Sequence, residues 1–152
     1  MNTALYFFSG TGNSLSVAQS IKKNIERCEI LPIIGCLKQK PIMVTAQRVG
    51  IIFPMHIMNV PRIVRQFIAE LRFLNPEYVF VIVTGANPKF GNALSEVEKC
   101  LRHAKVKLNA GYFIQMMASH FPYLKTPKAK QPTNNIKKPV KRYCRLLKTF
   151  AS

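Results

Sequence analysis

The sequence contains no aspartate and no tryptophan, and its acidic side chains are few. Six glutamates stand against 23 lysines and arginines in 152 residues, which gives a formal net charge of +17. All six glutamates precede Lys99, so residues 99–152 carry positive charge without any acidic side chain. The absence of aspartate excludes a Ser-His-Asp triad and narrows the options for a catalytic carboxylate pair.

Cysteine is scarce and widely spaced, at positions 28, 36, 100 and 144, and no C-x-x-C pair occurs. This spacing does not support a zinc or iron–sulfur site, and we expect reduced, mostly buried thiols. No apolar run reaches the ~20 residues that cross a membrane. The run at residues 5–8 is too short for a signal peptide and follows no basic segment. We therefore expect a cytoplasmic protein without a membrane span.

Apolar runs typical of buried strands alternate with stretches of helical periodicity, which is the pattern of a doubly wound parallel sheet. We expect five strands, at residues 4–8, 30–34, 48–53, 78–84 and 108–117. Helices are expected over about 13–27, from Pro61 through an apolar stripe to Leu74, and over about 92–105. Pro32 cannot donate to a ladder, so the second strand is expected at a sheet edge. The predicted fold class is α/β with three layers.

A hydrophobic content of 48% can build a core, and 152 residues suit one domain that spans residues 1–152. Residues 35–47 are expected to form a loop between the second and third strands. Residues 121–135 are rich in proline, lysine and threonine and are expected to form a mobile loop. A basic amphipathic helix is expected over residues 136–150.

The junction between the first strand and the first helix has the composition of an anion-binding turn. Its six residues are small and polar: Ser9, Gly10, Thr11, Gly12, Asn13 and Ser14. Glycines allow the backbone to curl, so that amide N–H groups converge in front of the helix N-terminus. The P-loop is excluded because no lysine follows these glycines, and the Rossmann fingerprint is excluded because position 15 is leucine. An ordinary strand-to-helix turn is the alternative interpretation.

Two further loops leave the carboxyl ends of predicted strands, where doubly wound sheets bind ligands. The loop after the third strand is apolar enough to cover a flat ring, a neighbouring loop or a second protomer. Its candidate binding residues are Pro54, Met55, His56, Ile57, Met58 and Asn59. The loop after the fourth strand adds Thr84, Gly85, Ala86, Phe90 and Gly91. His56 either lies near the ring or faces solvent, and Gly85 allows close approach of the backbone to a ligand.

Together these segments resemble the flavodoxin-like domain of the EFR1 family, in which that domain is fused to a ferredoxin-type iron–sulfur domain. The matching residues are the run 8–14, Phe53-Pro54, Val60-Pro61, and the runs 91–94 and 107–111. The resemblance spans roughly residues 3–118. It implies a flavodoxin-like fold with strand order 2-1-3-4-5 and FMN bound by the three loops. It also implies that a peptide at Asn59 turns to accept a hydrogen bond from the reduced ring.

Two departures from the family change what the resemblance implies. The iron–sulfur cysteines that follow this domain in the family are missing, which removes internal electron transfer. The second loop usually carries aromatic residues, whereas this chain has His56, Ile57 and Met58. Because aromatic stacking contributes much of the hold on a flat ring, this difference lowers the expected affinity for flavin.

The resemblance implies an FMN-binding electron-transfer protein or a small flavin-dependent oxidoreductase, in which the flavin carries the redox chemistry. The basic last third suits an acidic redox partner protein, for example a ferredoxin-type carrier or reductase. Two alternatives stay open. One is a flavin-free interaction module of the same fold. The other is a basic nucleic-acid-binding protein, for which no recognition motif is present.

Overall fold

The computed structural model describes residues 1–56, 59–86 and 92–116. The predicted mobile loop 121–135 and the predicted helix 136–150 lie outside these residues. The elements in chain order are β1 (Thr3–Phe7), α1 (Asn13–Lys22), β2 (Cys28–Pro32), α2 (Ile33–Cys36), β3 (Ile42–Val44), β4 (Arg48–Pro54), α3 (Arg62–Glu70), β5 (Leu71–Phe73), β6 (Tyr78–Gly85), α4 (Ala93–His103) and β7 (Ala110–Gln115).

Five parallel strands form the main sheet in the order β2-β1-β4-β6-β7. This confirms the predicted α/β class and the five-stranded parallel sheet. The order 2-1-3-4-5 does not hold as stated, because the chain contains two further short strands that the sequence analysis did not anticipate. These strands, β3 and β5, pair in parallel with each other, with Ile42 opposite Leu71, and form a separate sheet. When these two short strands are included in the chain-order numbering, the strand order of the main sheet is 2-1-4-6-7.

Helices cover both faces of the main sheet in the part of the chain that the structure describes. On one face, α1 packs through Val17, Ala18 and Ile21 against side chains of β1, β4 and β6. On the other face, α2, α3 and α4 pack through buried residues that include Ile33, Phe67 and Leu101. Burial on both faces explains why β6 is apolar almost throughout, since a covered parallel strand has no polar side. The arrangement is the expected three-layer one.

The second strand lies at the edge of the main sheet, as its proline indicated. β2 pairs only with β1, and Pro32 ends it opposite Phe7. A missing backbone N–H costs nothing in sheet pairing where no further strand follows. None of the helices among the described residues is both long and apolar enough to cross a membrane.

Several predicted element boundaries were wrong. The second strand is Cys28–Pro32 rather than residues 30–34, and Ile33 and Ile34 belong to α2. α1 ends at Lys22 rather than near residue 27, because the chain turns there: the Asn24 side chain donates to the Ser20 carbonyl at 2.7 Å, and Arg27 has a φ of 51°. Such a positive φ is incompatible with continuing a helix. The predicted loop 35–47 contains the last turn of α2 and the strand β3.

The predicted end of the helix that follows Pro61 was also wrong. α3 ends at Glu70, and Leu71–Phe73 forms β5 instead of a last helical turn to Leu74. Leu71 is buried in the same cluster as the helix stripe, so its apolar character fits a helix and a strand equally well. Pairing with β3 decides between the two, and this pairing is not visible in the local sequence.

Candidate functional site

Three loops meet at the carboxyl edge of the main sheet, after the neighbouring strands β1, β4 and β6. The chain leaves β1 toward β2 on one side, whereas β4 lies on the other side, so the strand order reverses at this point. Open parallel sheets bind ligands at such a reversal. Hydrogen bonds of Ser14 and Met55 with Thr84 join the described parts of the three loops at this edge. Four predicted residues lie outside the described part of the chain: Ile57, Met58, Phe90 and Gly91.

The first loop is shaped by Gly12, which has a φ of +90° and immediately precedes α1. Residues with a side chain rarely adopt this conformation, so glycine is required here. The Gly12 N–H donates to the Ser9 side-chain oxygen at 2.9 Å, and the Gly12 carbonyl accepts from the Ser16 N–H at 2.9 Å. The loop is thus a closed curl that leads directly into the helix.

The outer side of this curl is open. A Cβ atom added at Gly10 or Gly12 would meet no other atom within 4 Å, and residues 10–12 are exposed. No side chain caps the N-terminus of α1, and no acidic residue stands in its first turn. The first amides of a helix lack intrahelical partners and carry partial positive charge. This end of the site has the room and the donors that an anionic group needs.

Ser14 has a different environment from the rest of the first loop. Its side chain is fully buried, and its hydroxyl lies 3.2 Å from the hydroxyl of Thr84 at the end of β6. Both had been proposed as ligand-binding residues from the sequence. In the structure the two hydroxyls bind each other and join the first loop to the third.

The second loop is anchored at both ends. At its start, the Met55 N–H donates to the Thr84 carbonyl at 2.8 Å. Further along, His56 and Asn59 exchange two backbone hydrogen bonds, at 3.0 and 2.9 Å. At its end, the Val60 N–H donates to a carboxylate oxygen of Glu96 at 3.1 Å. These bonds fix the loop above the sheet edge while His56 and Asn59 remain exposed.

Glu96 is a site residue that sequence reasoning missed. It lies in the first turn of α4 and accepts hydrogen bonds from the Val60 N–H and from Nη1 of Arg65 in α3. An acidic residue in a first helical turn is common because it complements the helix dipole. Nothing in the local sequence distinguishes that general role from the specific contact with a residue 36 positions away.

The glycine of the third loop has a packing role. A Cβ atom on Gly85 would lie 3.0 Å from Cζ of Phe113 and 3.5 Å from Cβ of Met55. The ring of Phe113 therefore occupies the space beside Gly85 in which a side chain would stand. The Gly85 carbonyl also accepts a hydrogen bond from the Met116 N–H at 2.7 Å. Ala86, which follows, is exposed.

The described site residues carry no lysine, arginine or acidic side chain of their own, and the Arg65–Glu96 ion pair stands beside them. Among residues 1–56, 59–86 and 92–116, no group of three histidine, cysteine or acidic side chains could hold a metal ion. Cys28, Cys36 and Cys100 form no disulfide bond within the part of the chain that the structure describes. Burial raises the pKa of Cys36 and of Cys100, which favours the neutral thiol over the nucleophilic thiolate.

No protein-family model matches the sequence, and no curated protein matches it. Solved structures do match. A Fusobacterium nucleatum flavodoxin bound to flavin mononucleotide is 9% identical, with a TM-score of 0.64 and coverage of 97% of each chain. A flavodoxin from the domain Archaea is 14% identical, with a TM-score of 0.59 and coverage of 95% of this chain and 94% of that one. An azoreductase from Bacillus anthracis is 12% identical, with a TM-score of 0.55 and coverage of 96% and 98%.

At these identities the similarity concerns the course of the chain and not the identity of site residues. The parallel order β2-β1-β4-β6-β7, helices on both faces and the loop–helix junction after β1 agree with it. The chain therefore has a flavodoxin-like fold.

Proposed function

We propose that the protein binds FMN at the carboxyl edge of the main sheet and acts as an electron-transfer protein or a small flavin-dependent oxidoreductase. The observation that carries this proposal is the first loop. Its curl around Gly12 is open on the outside, contains no charged side chain and leads into an uncapped helix. Amides in this arrangement stabilise a phosphate without a lysine or arginine.

The phosphate of FMN would be held by the backbone amides of Gly10 and Asn13 and by the polar side chains of the same loop. Ser9 contributes indirectly, since its oxygen accepts the Gly12 N–H and so holds the curl closed. Ser14 and Thr84 support the loop from below through their mutual hydrogen bond. In this proposal the first loop provides the binding energy for the anionic end of the cofactor.

The ring of FMN would lie against the second loop. Bound FMN supplies one- or two-electron transfer, and the protein positions it and tunes its potential. Met55 and the exposed residues His56 and Asn59 would provide adaptable apolar and polar contacts. Both the N–H and the carbonyl of Asn59 are bonded to His56. Turning the Asn59–Val60 peptide toward the ring breaks the bond to the Asn59 carbonyl and the bond from the Val60 N–H to Glu96, each at a cost of about 0.5–1.5 kcal/mol.

An acidic redox protein is the proposed partner. A net charge of +17 creates a field that attracts an acidic surface and speeds encounter at low salt. The resemblance to the EFR1 family supports a ferredoxin-type protein in this role, because an iron–sulfur domain of that type accompanies the flavodoxin-like domain in that family. Association with such a protein is expected to slow steeply as salt rises.

The experiment that tests the cofactor is a titration of the apo-protein with FMN, followed by quenching of flavin fluorescence. We expect saturation at one FMN per chain. Riboflavin, which lacks the phosphate, is the matched ligand and should bind at least tenfold more weakly, because it makes no contact with the first loop. Equal affinities for the two ligands would contradict the role of that loop.

Absence of any flavin binding in the same titration would favour a second candidate, a flavin-free interaction module. One observation favours this candidate: no aromatic side chain occurs among Met55, His56, Asn59 and Val60 of the second loop. The visible spectrum of the purified protein also separates the two, since only a flavoprotein absorbs near the flavin maximum.

A further inference from the structure

A row of four side chains crosses the main sheet at the amino ends of its strands, opposite the proposed FMN edge. Cys28 of β2, Thr3 of β1, Arg48 of β4 and Tyr78 of β6 are register partners in turn. Register partners in a parallel sheet point to the same face. Here it is the face covered by α1, because Leu5, Ile52 and Phe80 belong to its buried cluster.

Arg48 is buried and lacks partners for part of its charged group. The residue is 2% exposed, and its Nε and Nη2 atoms make no hydrogen bond with any of the residues that the structure describes. Its neighbour Thr3 is also 2% exposed, and its side-chain oxygen likewise makes none. Two neighbouring strands thus carry, at register-paired positions on one face, a guanidinium edge and a hydroxyl that are both buried and unsatisfied.

Such an arrangement is unusual because a guanidinium stays charged in proteins. Burial lowers the pKa of Arg48 but leaves the group a cation at neutral pH. Buried charges are normally paired, since an unpaired one forfeits its hydration without compensation. The hydroxyl of Tyr78 is already bonded to Tyr112, and burial first, then this bond, raises the pKa of Tyr78 to about 12. Tyr78 is therefore neutral and cannot balance the charge.

No glutamate side chain forms a hydrogen bond or ion pair with Arg48 in the part of the chain that the structure describes. The chain has six glutamates and no aspartate, and all six lie among the described residues. Glu29 is the register partner of Ala4 and so points to the opposite face. Four others bind partners elsewhere: Glu70 with Lys40, Glu77 with Gln47, Glu96 with Arg65, and Glu98 with Arg102. Glu26 is exposed in the turn before β2.

We propose that the Nε–Nη2 edge of Arg48, together with the Thr3 hydroxyl, binds one small carboxylate anion of the size of formate or acetate. The two N–H groups on this edge are parallel and match the two oxygens of a carboxylate. The Thr3 hydroxyl adds a third donor to one of those oxygens. A water molecule could bridge the same donors, but it would not neutralise the charge.

The exposed turn at residues 23–27 borders the amino end of this row. The Arg27 carbonyl accepts the Thr3 N–H at 2.9 Å, and Ile25 packs against the cluster beneath α1. Local opening of this turn gives an anion access to Arg48 without unfolding the sheet. The net charge of +17 raises the concentration of anions around the protein. The site is independent of FMN, which would bind at the opposite edge.

The experiment is a titration of the protein with sodium formate, followed through the arginine Nε–H signals in nitrogen–proton NMR spectra. Sodium chloride keeps the ionic strength constant. We expect one Nε–H signal, assigned to Arg48 by its loss in Arg48→Lys, to shift saturably with formate. Thr3→Val removes one hydrogen bond to the anion and should weaken this binding about tenfold. Inorganic phosphate should shift the signal less than formate at equal concentration.

Thermal unfolding provides a second readout. Formate should raise the Tm of the wild-type protein beyond the effect of chloride, because a ligand that binds only the folded state stabilises it. Arg48→Met, which replaces the buried cation with an apolar chain of similar length, should fold and lose this dependence. Arg62→Met, at an exposed position in α3, is the matched control and should retain it.

Three results would overturn the proposal. The first is an Arg48 signal and a Tm that respond to formate no more than to chloride. The second is a stronger response to phosphate than to formate, which would assign the site to a different anion. The third is a formate-free Arg48 signal that changes in Glu26→Gln, because it would show that a carboxylate of the chain itself occupies the edge.

Discussion

The side-chain oxygens of Ser14 and Thr84 lie 3.2 Å apart, although the two residues are separated by 70 positions in the sequence. Both residues are almost completely buried, so water does not compete for this hydrogen bond. The bond connects the first turn of α1 to the end of β6. The first and third loops of the site therefore rise from a shared base.

Ser14→Ala should lower the free energy of unfolding by about 1–3 kcal/mol, because it leaves the buried hydroxyl of Thr84 without a partner. Ser16→Ala, at an exposed position of the same helix, is the matched control and should change it by less than about 0.5 kcal/mol. Urea unfolding measures both. A double-mutant cycle with Thr84→Val should give a coupling energy of about 1 kcal/mol, and a value near zero would argue against the contact.

The two glycines of the first loop should respond differently to alanine. Gly12→Ala places a side chain at a φ of +90° and should destabilise the protein by about 1–2 kcal/mol. Gly10 has no positive φ, and its added methyl group meets no protein atom, so Gly10→Ala should leave stability within about 0.5 kcal/mol. The same methyl group narrows the open side of the loop and should weaken FMN binding. Unchanged FMN affinity in Gly10→Ala would place the phosphate elsewhere.

Glu96→Ala should lower the free energy of unfolding by about 1–2 kcal/mol, since it removes the acceptor for the half-buried Val60 N–H and the partner of Arg65. Glu98→Ala is the control on the same helix. Its ion pair with Arg102 is exposed and contributes at most about 0.5 kcal/mol. Denaturant unfolding measures the free energy of unfolding of both variants. Equal decreases in the two would show that the hydrogen bond from Val60 to Glu96 does not stabilise the protein.

Stability should fall as the pH rises from about 10 to about 12. Burial raises the pKa of both Tyr6 and Tyr78 to about 12, from about 10 in the unfolded chain. As the pH rises, the unfolded chain therefore loses these protons before the folded protein does. This loss shifts the folding equilibrium toward the unfolded state between about pH 10 and pH 12. Tyr6→Phe should flatten the decline measured by urea unfolding at successive pH values. An unchanged slope would mean that Tyr6 ionises normally in the folded protein.

The sequence predicted the parts of the fold that local patterns determine. Pro32 marked an edge strand because a missing N–H has the same consequence in any sheet, and the apolar run in β6 indicated a strand buried on both sides. The junction after β1 was recognised from its glycines, and Gly12 has the conformation that makes glycine necessary. These features depend on a few adjacent residues.

The features that the sequence did not predict depend on distant contacts. Leu71 continues the apolar period of α3, and only its pairing with Ile42 makes it a strand residue. The anchor between Glu96 and Val60 and the ring of Phe113 beside Gly85 connect segments far apart in the chain. Ser14 and Thr84 were both singled out for a ligand, and their contact with each other was not anticipated.

The two hydrogen bonds that anchor the ends of the second loop have acceptors of different rigidity. Its first amide is bound to the backbone of β6, an inner strand of the sheet, whereas its last is bound to a carboxylate at the end of a side chain on α4. If the loop closes over a flat ligand, we therefore expect its β6 end to stay in place and its other end to displace α4 through Glu96. A spectroscopic probe attached to an exposed position of α4, such as Ser95, would report such a movement without touching the loop.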